Sequence, residues 1–524
     1  MLKPFLITAL FFSVSAAVAQ TKTATDYASH ITTDQLRAYL TVLTSDEMAG
    51  RETSTPGEKK AAEYIASQFK LSKLKKFSKA KKYLQYYEVF RDSMVTETLS
   101  IGGNTYLPGA KFIMSTGTSF NQNITAKELV FVGYGISDSL YDDYAGKDVD
   151  GKIVVYTSGE PMNADSTWLI TGTKKASDWA ARGEPKKLAA AKARGAKAVF
   201  SFSAEPNIPE AFRSIYLRNT LRYNPAAPVL NQASLAHSTL DSLFGKENFK
   251  QILDLVKKKK QLNQLAIKNV AADVELTYKE ATEKRKARNV IGYIKGSERP
   301  DEYVYMTAHM DHLGTNGKDI FRGADDDGSG TSAVMAMAAA FADATKDGFR
   351  PKRSIIFMTV SGEEKGLWGS DYATSHPVVE LEKVSANINT DMIGRIDPKR
   401  KNGDSLNYVY AVGSDKISTE IKPLMERINK QSVNLELDYK FDDPNDRERI
   451  YFRSDHYNFA KHGVPIVFFY NGSHPDYHKA TDTIEKINFE LMAKRAKLAF
   501  HLAWELANRE NNLVRDLPVP TATR

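Results

Sequence analysis

From Ala287 to the C-terminal region the sequence alternates short apolar runs with helical stretches, a rhythm that argues for a layered α/β domain. Strands are predicted over Asn289–Ile294, Tyr303–Ala308, Ser354–Val360, Ala386–Thr390 and Val464–Tyr470. Helices are predicted over Ser329–Ala344 and in a C-terminal segment whose Leu491, Leu498, Leu502 and Leu506 share one face. The expected architecture is a mixed, mostly parallel central sheet flanked by helices. Ligands of such sheets collect beyond the carboxyl ends of the strands.

Metal-binding residue types stand at those ends. His309 follows the second strand, Glu363 and Glu364 the third, and Asp391 the fourth; His478 lies on the loop after the fifth. Asp326, in GADDDGSG, stands where a helix begins, and the small residues beside it let backbone pack closely. Two histidines with several carboxylates suit a pair of closely spaced zinc ions. His309 and Asp311 would face the same side if the strand continued, so that the carboxylate could accept the proton on the imidazole's other nitrogen. Asp326 reads equally as a bridging ligand or a helix cap, and Asp325 or Asp327 could fill the cap role. Glu363 and Glu364 share a glycine-flanked turn and point apart, so one can bind metal while the other takes a proton. A lone glutamate pair is ordinarily solvated surface, but this one follows the run IIFMTV. Asp391 reads as a turn carboxylate or a ligand. His474 could replace His478 as ligand, and Tyr477 could be a packing aromatic.

Composition narrows the setting. The chain has 524 residues, 42% hydrophobic and 26% charged, enough for two or three domains. Residues 1–19 read as a secretory signal, with Lys3, an apolar stretch from Phe5 to Val14 and Ala17-Val18-Ala19 before Gln20. No later segment reaches transmembrane length. The absence of cysteine excludes a disulfide framework and limits metal ligands to His, Asp and Glu. An exported protein of this kind fits a bacterial periplasm or exterior. The formal charge is +8, with basic clusters at Lys70–Lys82 and Lys257–Lys260. Neither cluster sits in a nucleic-acid module, so both read as solvated faces.

Residues 20–117 begin with a helical pattern from Thr33 to Leu43, then a helix entered at Thr55-Pro56-Gly57-Glu58 with Ala61, Ala62, Ile65 and Phe69 on one face. Between 118 and 270 the texture changes to strands and short helices (ELVFVGYGI, DGKIVVYTSG, and EPKKLAAAKARGAKAVFSF with a stop at Gly195). His237, the one histidine of this block, reads as a surface or packing residue. The remaining regions are 271–512 and a tail, 513–524.

NVIGYIKGSERPDEYVYMTAHMDHLG, GADDDGSGTSAV, SGEEKGLWGSDY, NTDMIG and YHKATDTIEKI together resemble the successive motifs of the M28 family of zinc peptidases. The resemblance covers about residues 30–70 and 285–510. It implies that Asp326 bridges two zinc ions, with His309 and Asp391 completing one site and His478 and Glu364 the other. Glu363 would be the general base, Asp311 the partner of His309, and Tyr477 a stabiliser of the oxyanion. The block 118–270 is similar to a β-rich protease-associated (PA) domain, inserted into the catalytic domain. The implied activity is removal of N-terminal residues from peptides. The sequence leaves open a carboxypeptidase or dipeptidase on the same site, a one-zinc glutaminyl cyclase, and a silent binding protein, which would lack ligands. Side-chain preference and oligomeric state are not written in it.

Overall fold

The computed structural model describes residues 22–520 apart from 115–121, 182–183, 208–219, 225–229, 266 and 268. The secretory-signal reading of residues 1–19 lies outside these residues. The chain divides into two compact units, one formed by residues up to Tyr87 and from Lys286 onward, the other by Glu88–Arg285.

In the first unit four strands run parallel in the order Ile466–Tyr470, Val384–Thr390, Arg299–His309, Arg353–Val360. Tyr408–Val412 pairs antiparallel with the first of these and parallel with Glu436–Asp438. At the other side, residues 290–294 pair antiparallel with Arg353–Val360. The sheet is therefore mixed with a parallel centre. Side chains alternate between two apolar layers, as the two-residue period of a strand requires. Val304, Met306, Ile355 and Phe357 pack with the helices Thr33–Leu43, Pro56–Leu71, Gly330–Lys346 and Phe489–Asn508. Tyr305, Ile356 and Met358 enter a second layer with Phe459 and Ala373. Burial on both faces explains why Ile355–Met358 reads as a continuous apolar run and why the whole strand Arg353–Val360 is buried.

Helix entry follows the sequence closely. Thr55 accepts the Glu58 N–H, Pro56 occupies the first turn, and Ala61, Ala62, Ile65 and Phe69 are buried. The C-terminal helix buries Leu491, Leu498, Leu502 and Leu506.

The second unit has its own sheet and core. Gln122–Phe131, Ile153–Thr157, Ala198–Phe202 and Asn231–Leu235 run parallel in that order, with Phe112–Met114 antiparallel at the edge. His237–Phe244 and Lys246–Lys257 supply helical cover through Leu240, Phe249 and Ile252. His237 packs edge-on against Phe249 and its Nε2 lies 2.8 Å from the Ser203 carbonyl. The block 118–270 lies wholly inside this unit, which extends further on both sides.

One buried side chain ties the N-terminal segment to the strand-end loops of the first unit. Arg51 donates to the carbonyls of Leu43, Met310, Arg322 and Gly323 at 2.6–2.9 Å. Its planar fork satisfies four acceptors that no neutral side chain could reach together. Replacing Arg51 with Met orphans those carbonyls in a dry setting and is expected to cost about 3 kcal/mol or more. Arg51→Lys should recover little of it. Denaturant unfolding followed by tryptophan fluorescence checks both; an unchanged midpoint for Arg51→Met would refute this account.

Candidate metal centre

The parallel strands end at one edge, and the strand-end side chains meet there. His309 is the last residue of its strand and is buried. Its Nε2 lies 3.1 Å from Asp326 Oδ1, 3.6 Å from Asp391 Oδ1 and 3.9 Å from Glu363 Oε2. The other Asp326 oxygen lies 3.1 Å from His478 Nε2. Glu364 Oε2 is also 3.1 Å from His478 Nε2, and Glu364 Oε1 is 2.7 Å from His312 Nδ1. Asp326 thus spans two imidazole–carboxylate groups, and the two glutamates diverge as side-by-side turn residues must.

The three consecutive aspartates do different work. Asp327 accepts the backbone N–H groups of His309, Gly330 and Met392 at 2.8–3.1 Å, joining three motifs through one carboxylate. Proximity alone would group Asp327 with His309 and Asp391. With both its oxygens taken by N–H donors, the geometry favours Asp326 as the group facing the imidazoles. Asp325 accepts the Gly394 N–H at 2.7 Å and pairs with His474 at 3.2 Å, so His474 is engaged away from the cluster. Asp482 accepts the N–H groups of Asp325 and Asp326 at 3.0 and 3.2 Å. Close approach here demands glycine: a Cβ on Gly330 would lie 2.1 Å from the Thr390 carbonyl oxygen.

One expected pairing is corrected. The strand ends at His309, so Asp311 does not continue the strand's alternation. His309 Nδ1 lies 3.0 Å from the Asp311 backbone carbonyl and 3.7 Å from its carboxylate. The carboxylate instead accepts the Thr53 hydroxyl at 2.7 Å and the Glu363 N–H at 3.2 Å, bracing the turn that carries Glu363. Either carbonyl or carboxylate would fix the imidazole's tautomer.

Tyr477 stacks on His478 with ring centroids 3.8 Å apart, and its hydroxyl accepts from Arg453 Nη2 at 3.1 Å. Ser454 donates to Asp391 at 2.5 Å. His478 and Met392 both hold left-handed backbone conformations, with φ of 57°. A pocket above the cluster is lined by His309, Asp326, Glu363 and Asp391 at its floor and by Met392, Ile450, Phe468, Tyr470, Arg453 and Tyr477 around it.

Electrostatics bind these groups to one another. Burial works against a charged His309, yet Asp391, Glu363 and Asp326 outweigh it and hold the imidazole well above its ordinary range. Burial likewise opposes charge on His478, and its bonds to Asp326 and Glu364 carry it up to about 10. Burial drives the Glu363 carboxyl well above its ordinary range against the pull of His309, with Glu364 and Asp391 adding repulsion. A cation fits this set. Asp326 Oδ2, Glu364 Oε1 and both His312 ring nitrogens are buried without an aligned hydrogen-bond partner. Imidazole nitrogens converging with carboxylate oxygens are the donors zinc takes in catalytic sites.

His312, fully buried against Glu364, was not among the residues expected from the sequence. Its signal was present: it lies in TAHMDHLG, three residues after His309, where the chain has left the strand.

Residues 289–503 match the family model for peptidase family M28. A probable leucine aminopeptidase of Arthroderma benhamiae is 30% identical over 215 residues, which are 40% of this chain and 55% of the relative. A probable zinc metalloprotease of Pyricularia oryzae is 27% identical over 278 residues, covering 45% of this chain and 53% of that protein. The chain spans about half the length of the curated relatives it matches. Among solved structures, an aminopeptidase from Aneurinibacillus sp. strain AM-1 aligns over 95% of this chain and 100% of its own, with 20% identity and a TM-score of 0.55. A zinc aminopeptidase from Bacillus subtilis aligns over 93% and 99%, with 21% identity and a TM-score of 0.52. At these identities the likeness is one of fold.

The differing surroundings of adjacent aspartates give a sharp expectation. Asp326→Ala should stay folded and lose bound zinc, measured by mass spectrometry of the gel-filtered protein. Asp327→Ala should instead unfold more readily, by about 3 kcal/mol or more, because three buried N–H groups lose their acceptor. Full zinc retention by Asp326→Ala would move the bridge to a neighbour.

Proposed function

We propose that this chain, which belongs to peptidase family M28 through residues 289–503, is an exported aminopeptidase working with two zinc ions. The observation that carries the reading is the Asp326 carboxylate reaching both His309 and His478 while Glu363 lines the same pocket floor, farther from His309. His309, Asp391 and one Asp326 oxygen would hold one zinc; His478, Glu364 and the other Asp326 oxygen would hold the second, with His312 beside them.

Zinc bound there would supply a Lewis acid that polarises the scissile carbonyl and makes water acidic enough to attack near neutral pH. The protein's own groups do the rest. Glu363 takes the proton from the attacking water and returns it to the leaving amine. Its turn is held by the Asp311 carboxylate, so the base keeps its aim while it changes charge. Tyr477 offers its O–H to the carbonyl oxygen as negative charge develops. Met392, Ile450 and Phe468 offer apolar walls to the side chain of the residue released. The relatives named as leucine aminopeptidase and zinc metalloprotease agree with this substrate class.

Export rests on the charged, apolar and small-residue succession of residues 1–19; among the described residues no helix is long and apolar enough to cross a membrane. The segment 118–270 is read as a PA-like insertion on its VGYGI, DVDGKIVV and GAKAVFSF runs.

Two outcomes test the reading. Glu363→Gln should keep its zinc and its fold while turnover drops about a hundredfold or more, whereas Glu364→Gln should weaken zinc binding; reversed phenotypes would exchange the two roles. Aminoacyl p-nitroanilides should be cleaved and their N-acetylated counterparts should not, since a site built for a free amine loses its polar partner when that amine is blocked. Equal rates on free and blocked substrates, or residues released from the C-terminus of a peptide, would refute the aminopeptidase assignment and leave the hydrolase intact.

A further inference from the structure

Arg453 directly precedes Ser454, the donor to Asp391, and lines the same pocket as Glu363 and Tyr477. Arg453 is exposed, and among the described residues no carboxylate lies within ion-pair distance of it. Among the described residues its side chain bonds to the Tyr477 hydroxyl, from Nη2 at 3.1 Å.

The direction of that bond carries the inference. A guanidinium has donors and no acceptor, so the phenol oxygen must be the accepting atom. The Tyr477 proton is then left for another partner, and among the described residues no protein acceptor takes it. The ring itself cannot swing freely, because it stacks on His478 with an interplanar angle of 23°. Stacking fixes the plane of the phenol, and Arg453 fixes which way its hydroxyl is turned.

We propose that Arg453 is a positioning residue for Tyr477: it occupies the phenol's accepting side, so that the O–H proton is presented to the pocket and to the carbonyl oxygen of a bound substrate. The guanidinium charge stands behind the phenol oxygen and steadies it as its proton is shared outward. This rests on the reading of Tyr477 as donor to the developing oxyanion. Arg453 itself need not touch the substrate.

The test is a mutant cycle on the full chain with zinc loaded: Arg453→Met, Tyr477→Phe, the double variant, and Arg453→Lys. Zinc content should be unchanged in all four. Tyr477→Phe should lower kcat about a hundredfold to a thousandfold, as losing an oxyanion donor does. Arg453→Met should lower kcat about tenfold with KM within about twofold, the pattern of an interaction made in the transition state. The double variant should be no worse than Tyr477→Phe within about twofold, because both changes remove one interaction. Arg453→Lys should restore part of the loss. Calorimetric binding of the tetrahedral phosphonic acid analogue of leucine supplies a readout apart from turnover. Arg453→Met should weaken it in the wild-type background and leave it unchanged in the Tyr477→Phe background.

Additive losses would overturn the proposal, as would an Arg453→Met effect confined to KM and to substrates carrying a carboxylate. A silent Tyr477→Phe would remove the oxyanion role of Tyr477 and this proposal with it. An impaired Tyr477→Phe beside a silent Arg453→Met would remove the proposal alone.

Discussion

Concentrated negative charge in a buried corner is the condition that the rest of the first unit meets. Asp326, Glu363, Glu364 and Asp391 converge within a few ångströms of three imidazoles, at a place where like charges are poorly screened. Such a cluster is tolerated only when positive charge is brought to it and when its backbone cannot retreat. The imidazoles answer the first need, with zinc the cation that suits the same donors. The second is answered by hydrogen bonds from elsewhere in the chain, of which the Arg51 fork and the Asp327 carboxylate are the most connected.

The run Asp325-Asp326-Asp327 condenses that logic into three residues. Two of the carboxylates hold the scaffold and the middle one faces the cluster. Identical side chains acquire different chemistry because each meets a different set of donors: a histidine and a glycine N–H for Asp325, two imidazoles for Asp326, three backbone N–H groups for Asp327. Asp482 then secures the same turn from behind. Ligand geometry and fold stability are in this way set by neighbouring atoms of one short segment.

Much of this was legible in the sequence because strand ends and helix starts are punctuated by residue type. Four of the five predicted strands and the Ser329–Ala344 helix recur with ends shifted by a few residues, since β-branched runs and glycine stops are local signals; the strand expected from Asn289 is the end of one that already begins at Val270. Tyr408–Val412 was not predicted; its short run follows a polar, lysine-rich stretch and its pairing is set by distant strands. His312 escaped because strand alternation was extended past the point where the strand ends. The partner of the His309 Nδ1 was misjudged for the same reason. Arg453 carried no local signal at all: its meaning comes from Tyr477, which is brought beside it by tertiary packing.

The left-handed conformation at Met392 carries a cost for anyone engineering this chain. A non-glycine residue with positive φ gives up about 1 kcal/mol or more, and Met392 directly follows Asp391 while lining the pocket. Glycine at 392 would relieve that strain but empty a buried site in the second apolar layer, a loss of about 2 kcal/mol or more that outweighs the gain. The methionine's own packing therefore holds the strained turn in place, and heat selection has no route to relax it.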